Sequence, residues 1–176
     1  MNGLPKLATA AVLLFTPPLA QSPKKMEKLE KKVQELERNF EKQKDPIHQA
    51  KALAKLLPKE IVEATWEIQQ GGVSQGIARL ERYRDAARRV HRALVGTGRN
   101  PVKKPAGFVQ LQIALRESVR DLGDALFVVP FERRQPVEEV RADLDQMNNE
   151  LLQQLFPPPP PPKPKKKKRK ARGGKS

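Results

Sequence analysis

The side chains that could do chemistry are few and scattered. His48 and His91 are the only histidines, and there is no cysteine. Neither histidine has a second histidine, or a carboxylate four residues on, to form a metal pair on its helix face. Both are expected to be exposed helix residues, with Arg88 and Arg92 disfavouring protonation of His91. The absence of cysteine excludes disulfides, thiolate metal sites, a cysteine nucleophile and a lipid-modified cysteine anchor. Ser22 reads as a helix cap, Ser74 falls in a turn and Ser118 lies mid-helix, none of them in a nucleophile elbow. Glu117, Asp121 and Asp124 make an acidic strip, and paired carboxylates can do acid–base work or bind a cation. Interleaved with Arg116 and Arg120, the strip reads instead as a solvated, ion-paired helix face. Catalysis needs a nucleophile, a base and a group to orient them. No such set assembles from these residues, so the sequence points to a non-enzymatic protein with no metal, cofactor or small-molecule substrate.

Anion binding has more candidates. "GTGR" at 96–99 has glycine amides able to cradle a phosphate, but it follows a helix and lacks the lysine and hydroxyl of a P-loop. Arg79, Arg82, Arg84, Arg88, Arg89 and Arg92 could form a phosphate-contacting face. Glu81 and Asp85 stand among them, with Asp85 at pairing distance from Arg88 and Arg89, so a partly paired solvated face is the expectation. Tyr83 falls on the inward stripe, and Trp66, the sole tryptophan, steps with Val62 as partial core.

The strongest charge lies elsewhere. Residues 23–162 hold 25 lysines and arginines against 20 acids, whereas Lys163, Lys165, Lys166, Lys167, Lys168, Arg169, Lys170, Arg172 and Lys175 stand with no acid near them. These nine are the candidate polyanion-binding residues, expected to act through charge density rather than sequence reading. Six prolines, 157–162, precede them, with Pro164 following Lys163. Residues 157–164 in the polyproline conformation make a spacer of roughly 25 Å, longer than the Debye length of ~8 Å. The lysine cluster therefore acts as a charge separate from the body.

These features hang on a helical frame. Ser22 and Pro23 open a helix in which Met26, Leu29, Val33, Leu36 and Phe40 step by threes and fours. This heptad-type seam over 23–44 has the pattern of a short coiled coil; it can pack on its own bundle, the favoured reading, or form a homodimer through residues 26–40. Asp45 and Pro46 start the next helix, which Pro58 is expected to interrupt before "KEIVEATWEIQQ" resumes it and Gly71-Gly72 ends it. Residues 73–95 form another, stopped by Gly96 and Gly98. Phe108 begins a long helix ending before Pro130, and Pro136 opens a last one reaching Leu155. "GGVSQGIARLERYRDA" has the helix–turn–helix cadence of a tetratricopeptide unit, but no second unit follows at the repeat period, so it reads as an α-hairpin. The prediction is an all-α bundle of five to six antiparallel helices over 21–156, with a disordered proline-rich and polybasic tail over 157–176.

"MNGLPKLATAAVLLFTPPLAQS" supplies the last clue. One lysine, an apolar run from Leu7 to Phe15 and then Ala20 follow the order of a secretory signal peptide over 1–20, with cleavage between Ala20 and Gln21. The expectation is an exported protein of the periplasm, cell wall or medium, held by its tail on an anionic envelope polymer or lipid headgroups. The alternative is a cytoplasmic or nuclear protein whose "PKKKKRK" binds nucleic acid or serves as an import signal.

Overall fold

The computed structural model describes residues 23–158 and contains five α-helices: α1 (Pro23–Lys42), α2 (Pro46–Gln69), α3 (Val73–Val95), α4 (Phe108–Ala125) and α5 (Arg134–Leu155). A single 3-10 turn, Phe131–Arg133, leads into α5, and there is no strand among the described residues. The expected leader with its Ala20–Gln21 bond, Ser22 and the nine basic residues from Lys163 onward all lie outside the described residues.

Each boundary has a local cause. The Asp45 carboxylate accepts from the backbone N–H groups of Ile47 at 2.9 Å and His48 at 3.0 Å, with Pro46 in the first turn. Those bonds, the one from His48 above all, hold the Asp45 carboxyl below its usual range. Between α2 and α3, Gly71 takes φ +90, a conformation costly for any side chain. The last helix starts at Arg134 rather than at Pro136, because Arg134 already takes helical dihedrals, φ -72 and ψ -35, as it leaves the 3-10 turn.

One expected break does not occur. α2 runs unbroken through Pro58 for 24 residues, which is why the helices number five. A proline inside a helix loses one hydrogen bond and crowds the preceding turn. Here Leu53, Leu56 and Leu57 before it and Ile61 and Ala64 after it form one continuous buried stripe. Each large apolar side chain in that stripe contributes about 1.5–3 kcal/mol on burial, enough to hold the helix together across the defect.

Helices α2 to α5 form a four-helix ring in which α2 packs on α3, α3 on α5, α5 on α4 and α4 on α2. Consecutive helices run antiparallel, but the two lateral pairs are parallel. Arg88 meets Asp143 and His91 approaches Glu150, so α3 and α5 share a direction. Ile47 touches Gly107 at one end while Gln69 and Val128 share a cleft at the other, so α2 and α4 do also. The 96–107 connection therefore crosses the end of the ring diagonally. α1 lies outside the ring, along α2. Its Met26, Val33 and Leu36 are buried within this chain, with Leu29 and Phe40 partly covered. The core consists of apolar side chains from all five helices, Phe108, Leu111, Leu115, Leu144 and Leu151 among the most enclosed.

Candidate functional site

Among the described residues, a dense group of titratable side chains sits where α1, α2 and α3 meet. Glu60, Glu63 and Glu67 recur at steps of three and four along α2 and face one cation, Arg79 of α3. Arg79 Nη1 donates to Glu60 Oε2 at 3.1 Å and to Glu63 Oε2 at 3.2 Å. Its Nη2 and Nε grip both oxygens of Glu67 at 2.8 and 3.3 Å, the bidentate geometry a guanidinium favours. α1 joins through Glu37, whose Oε1 accepts from the Tyr83 hydroxyl at 2.8 Å.

Burial dominates the electrostatics of this cluster. Glu60 is 0% exposed, and desolvation pushes its carboxyl up to about 7 against the pull of Tyr83 and Arg79. Burial also raises Glu63, opposed by Arg79 and reinforced by Glu67. The Arg79 charge is penalised by burial too, but Glu67, Glu60 and Glu63 outweigh it and hold the guanidinium above its ordinary range. Burial and then the carboxylates of Glu60 and Glu37 push the Tyr83 phenol far up, so it stays a hydrogen-bond donor. A carboxyl poised near neutrality resembles a general acid or base, but Glu60 is sealed from solvent. What the arrangement does is clamp three helices with a network whose charge depends on pH. Its signal in the sequence is the Glu60, Glu63, Glu67 spacing, which runs beside the apolar stripe of α2; which cation it meets could not be read.

The other candidate residues are dispersed. The arginine-rich face of α3 is divided: Arg79 is spent inside the clamp, Arg84 lies 3.0 Å from Asp85, and Arg88 lies 2.5 Å from Asp143 of α5. Asp85 reaches Arg88 at 3.7 Å. Arg82, Arg89 and Arg92 are exposed. His91 is buried, not exposed as its polar neighbours implied, because it faces α5. Its Nε2 has no hydrogen-bond partner and stands 3.6 Å from Glu150 Oε2. Burial, not the nearby arginines, holds its pKa below the usual histidine value, with Glu150 opposing. His48 is exposed beside Asp45. In the acidic strip, Asp121 pairs with Arg120 at 3.0 Å, and Ser118 is buried with an unpartnered hydroxyl. Arg99, Lys103 and Lys104 of the diagonal loop are exposed, and the Asn100 side chain accepts from the Val102 and Lys103 amides. Among the described residues no group of three or more His, Asp or Glu side chains is arranged to hold a metal ion, and no helix is long and apolar enough to cross a membrane.

Trp66 is partly buried, as expected, and stands between two clefts. One is acidic, shared with Met26, Glu30, Glu67 and Arg79. The other is mostly apolar, lying between α2 and the end of α4. No family model matches the chain, and no curated protein and no solved structure matches it either.

Proposed function

We infer that this is an exported, non-enzymatic helical protein held on an anionic cell-envelope polymer or lipid surface by its polybasic segment. One observation carries the reading: residues 163–176 concentrate nine lysines and arginines with no acid, while the 23–162 stretch is close to balanced. The three-part order of the first twenty residues supports export. The body adds support by what it does with its own arginines. Arg79, Arg84 and Arg88 are bound to carboxylates of the same chain, which leaves no comparable block of unopposed cations on α3. Charge density of this kind attracts polyanions and weakens with salt. Deleting residues 163–176 should release the protein from the envelope fraction at low salt; retention unchanged by the deletion rejects the reading.

The "PKKKKRK" run at 164–170 favours one second reading, an intracellular protein anchored on nucleic acid. N-terminal sequencing of protein taken from its source separates the two, since a start at Gln21 selects export and an intact Met1 selects the interior. On nucleic acid, log affinity should fall against log salt with a slope of about −0.7 to −0.9 per phosphate neutralised.

A further inference from the structure

α1 lies outside the ring, and little besides apolar contact keeps it there. Among the described residues no ion pair joins α1 to another helix. The bond from the Tyr83 hydroxyl to Glu37, at 2.8 Å, is the one hydrogen bond between its side chains and those of the ring. Two clefts give its register. Met26 shares one with Trp66 and Glu67, and Phe40 shares the other with Leu56. α1 and α2 therefore run antiparallel, and Val33, midway between Met26 and Phe40, falls opposite Glu60 and Ile61. Val33 and Glu60 are both fully buried, so α1 acts as a cover on the Glu60 carboxyl.

What α1 covers is short of cations. Glu60, Glu63 and Glu67 of α2 stand against Arg79 of α3. α1 adds Glu30, which shares the first cleft with Glu63 and Glu67, and Glu37, bonded to Tyr83. Glu27 on the edge of that cleft is paired with Lys31 of its own helix. Arg82 and Arg89 of α3 line the second cleft beside Glu37 and Glu41, but no ion pair ties them to α1 among the described residues. α4 meets another side of α2, where Asp121 and Asp124 share a cleft with Ile61 and Thr65. Five carboxyl groups thus gather about one guanidinium, and Oε1 of Glu60 is enclosed without a partner. A neutral Glu60 fits beneath α1; an ionised one adds a charge that α1, with Glu30 and Glu37 on it, can only oppose.

We propose that α1 is a pH-released strap, closed over α2 and α3 while Glu60 holds its proton and opening as that proton passes to solvent. Opening bares Met26, Val33 and Leu36 on α1 and the acidic face of α2. It leaves the ring its own core, with Leu115, Leu144 and Leu151 at the centre. The sign follows from burial. Wetted, Glu60 titrates at its ordinary 4.5; enclosed, it titrates at about 7. Closure is therefore strongest below pH 4.5 and weakens as pH rises to 7, by up to about 300-fold. Burial raises Glu63 too, which acts in the same direction. The strap works wherever the basic residues anchor the protein.

Amide hydrogen exchange on the dilute full-length protein, corrected for the intrinsic rate at each pH, reads the opening of each helix separately. Amides at 29–40 in α1 should exchange through an opening of their own, faster than those at 140–151 in α5. The α1 opening constant should rise about 50–100-fold from pH 5 to pH 8. Glu60→Gln should remove most of that rise and keep α1 closed at pH 8. If α1 amides are as protected as those of α5 at every pH, the helix opens only with the whole fold and the proposal is overturned. An α1 opening constant that does not change with pH, or a rise that Glu60→Gln leaves intact, overturns it equally.

Discussion

Replacing Glu60 by glutamine should stabilise the protein at pH 8 and leave its stability nearly unchanged at pH 4.5. Glu60 is fully enclosed, with Oε2 held by Arg79 at 3.1 Å and Oε1 without a partner. Enclosure pushes its carboxyl from 4.5 up to about 7. The protonated form therefore belongs to the fold. Below pH 4.5 the residue is protonated both folded and unfolded and contributes no penalty. Between pH 4.5 and 7 the unfolded chain sheds its proton first, so folding stability falls as pH rises; above 7 the loss is complete. The gap between the two values corresponds to about 3 kcal/mol. Glutamine has nearly the same shape and no charge at any pH, and Arg79 keeps Glu63 and Glu67. For a chain of this size about 3 kcal/mol is roughly 6–12 °C in Tm. Thermal melts of both proteins from pH 4.5 to 8, followed by circular dichroism, measure the difference directly. Glu63, Asp45, Glu35 and His91 also have shifted pKa values, but they titrate in both proteins and cancel to first order. A difference that does not change with pH, or a glutamine variant that melts lower at pH 8, refutes the argument that burial governs Glu60.

The opposite change should be severe. Arg79→Met removes the only cation bonded to Glu60, Glu63 and Glu67 among the described residues and should cost about 3–5 kcal/mol at pH 8, less at pH 5, read from urea unfolding at the two pH values. Gly76→Ala tests the approach of α2 to α3: the added methyl would stand 2.6 Å from the Ala64 carbonyl and 2.6 Å from Ile68 Cγ1. Overpacking of that kind should cost about 1–3 kcal/mol in the same assay, whereas Gly72→Ala, whose φ is negative and whose nearest contact is 3.1 Å, should cost less.

The helical class, the start of α2 at Asp45 and Pro46, and the ends set by Gly71, Gly96 and Gly98 were all legible in the residues, because caps, glycine turns and three–four periodicity act within one or two turns of chain. The inward stripe of α3, Tyr83 included, was legible for the same reason. Pro58 shows the limit of such reasoning: its local rule predicts a break, and burial on both sides of it, gained only in the folded bundle, overrides the rule. Ring order, the two parallel lateral pairs and the diagonal 96–107 crossing depend on which faces meet, and no local signal carries that. The same holds for charge. Composition announced a basic segment against a near-neutral body, but whether a given ion is solvated or enclosed is a property of its neighbours across space. His91 read as an exposed helix residue and is buried against α5, Glu60 is fully enclosed, and Arg79 read as one of six arginines on a partly paired face and is the centre of a clamp. Sequence alone determined the helical class, most of the helix boundaries and the placement of net charge, since these depend on residues close in the chain. Tertiary structure alone decided which ionisable groups left water, because desolvation comes from side chains that meet only when the helices pack.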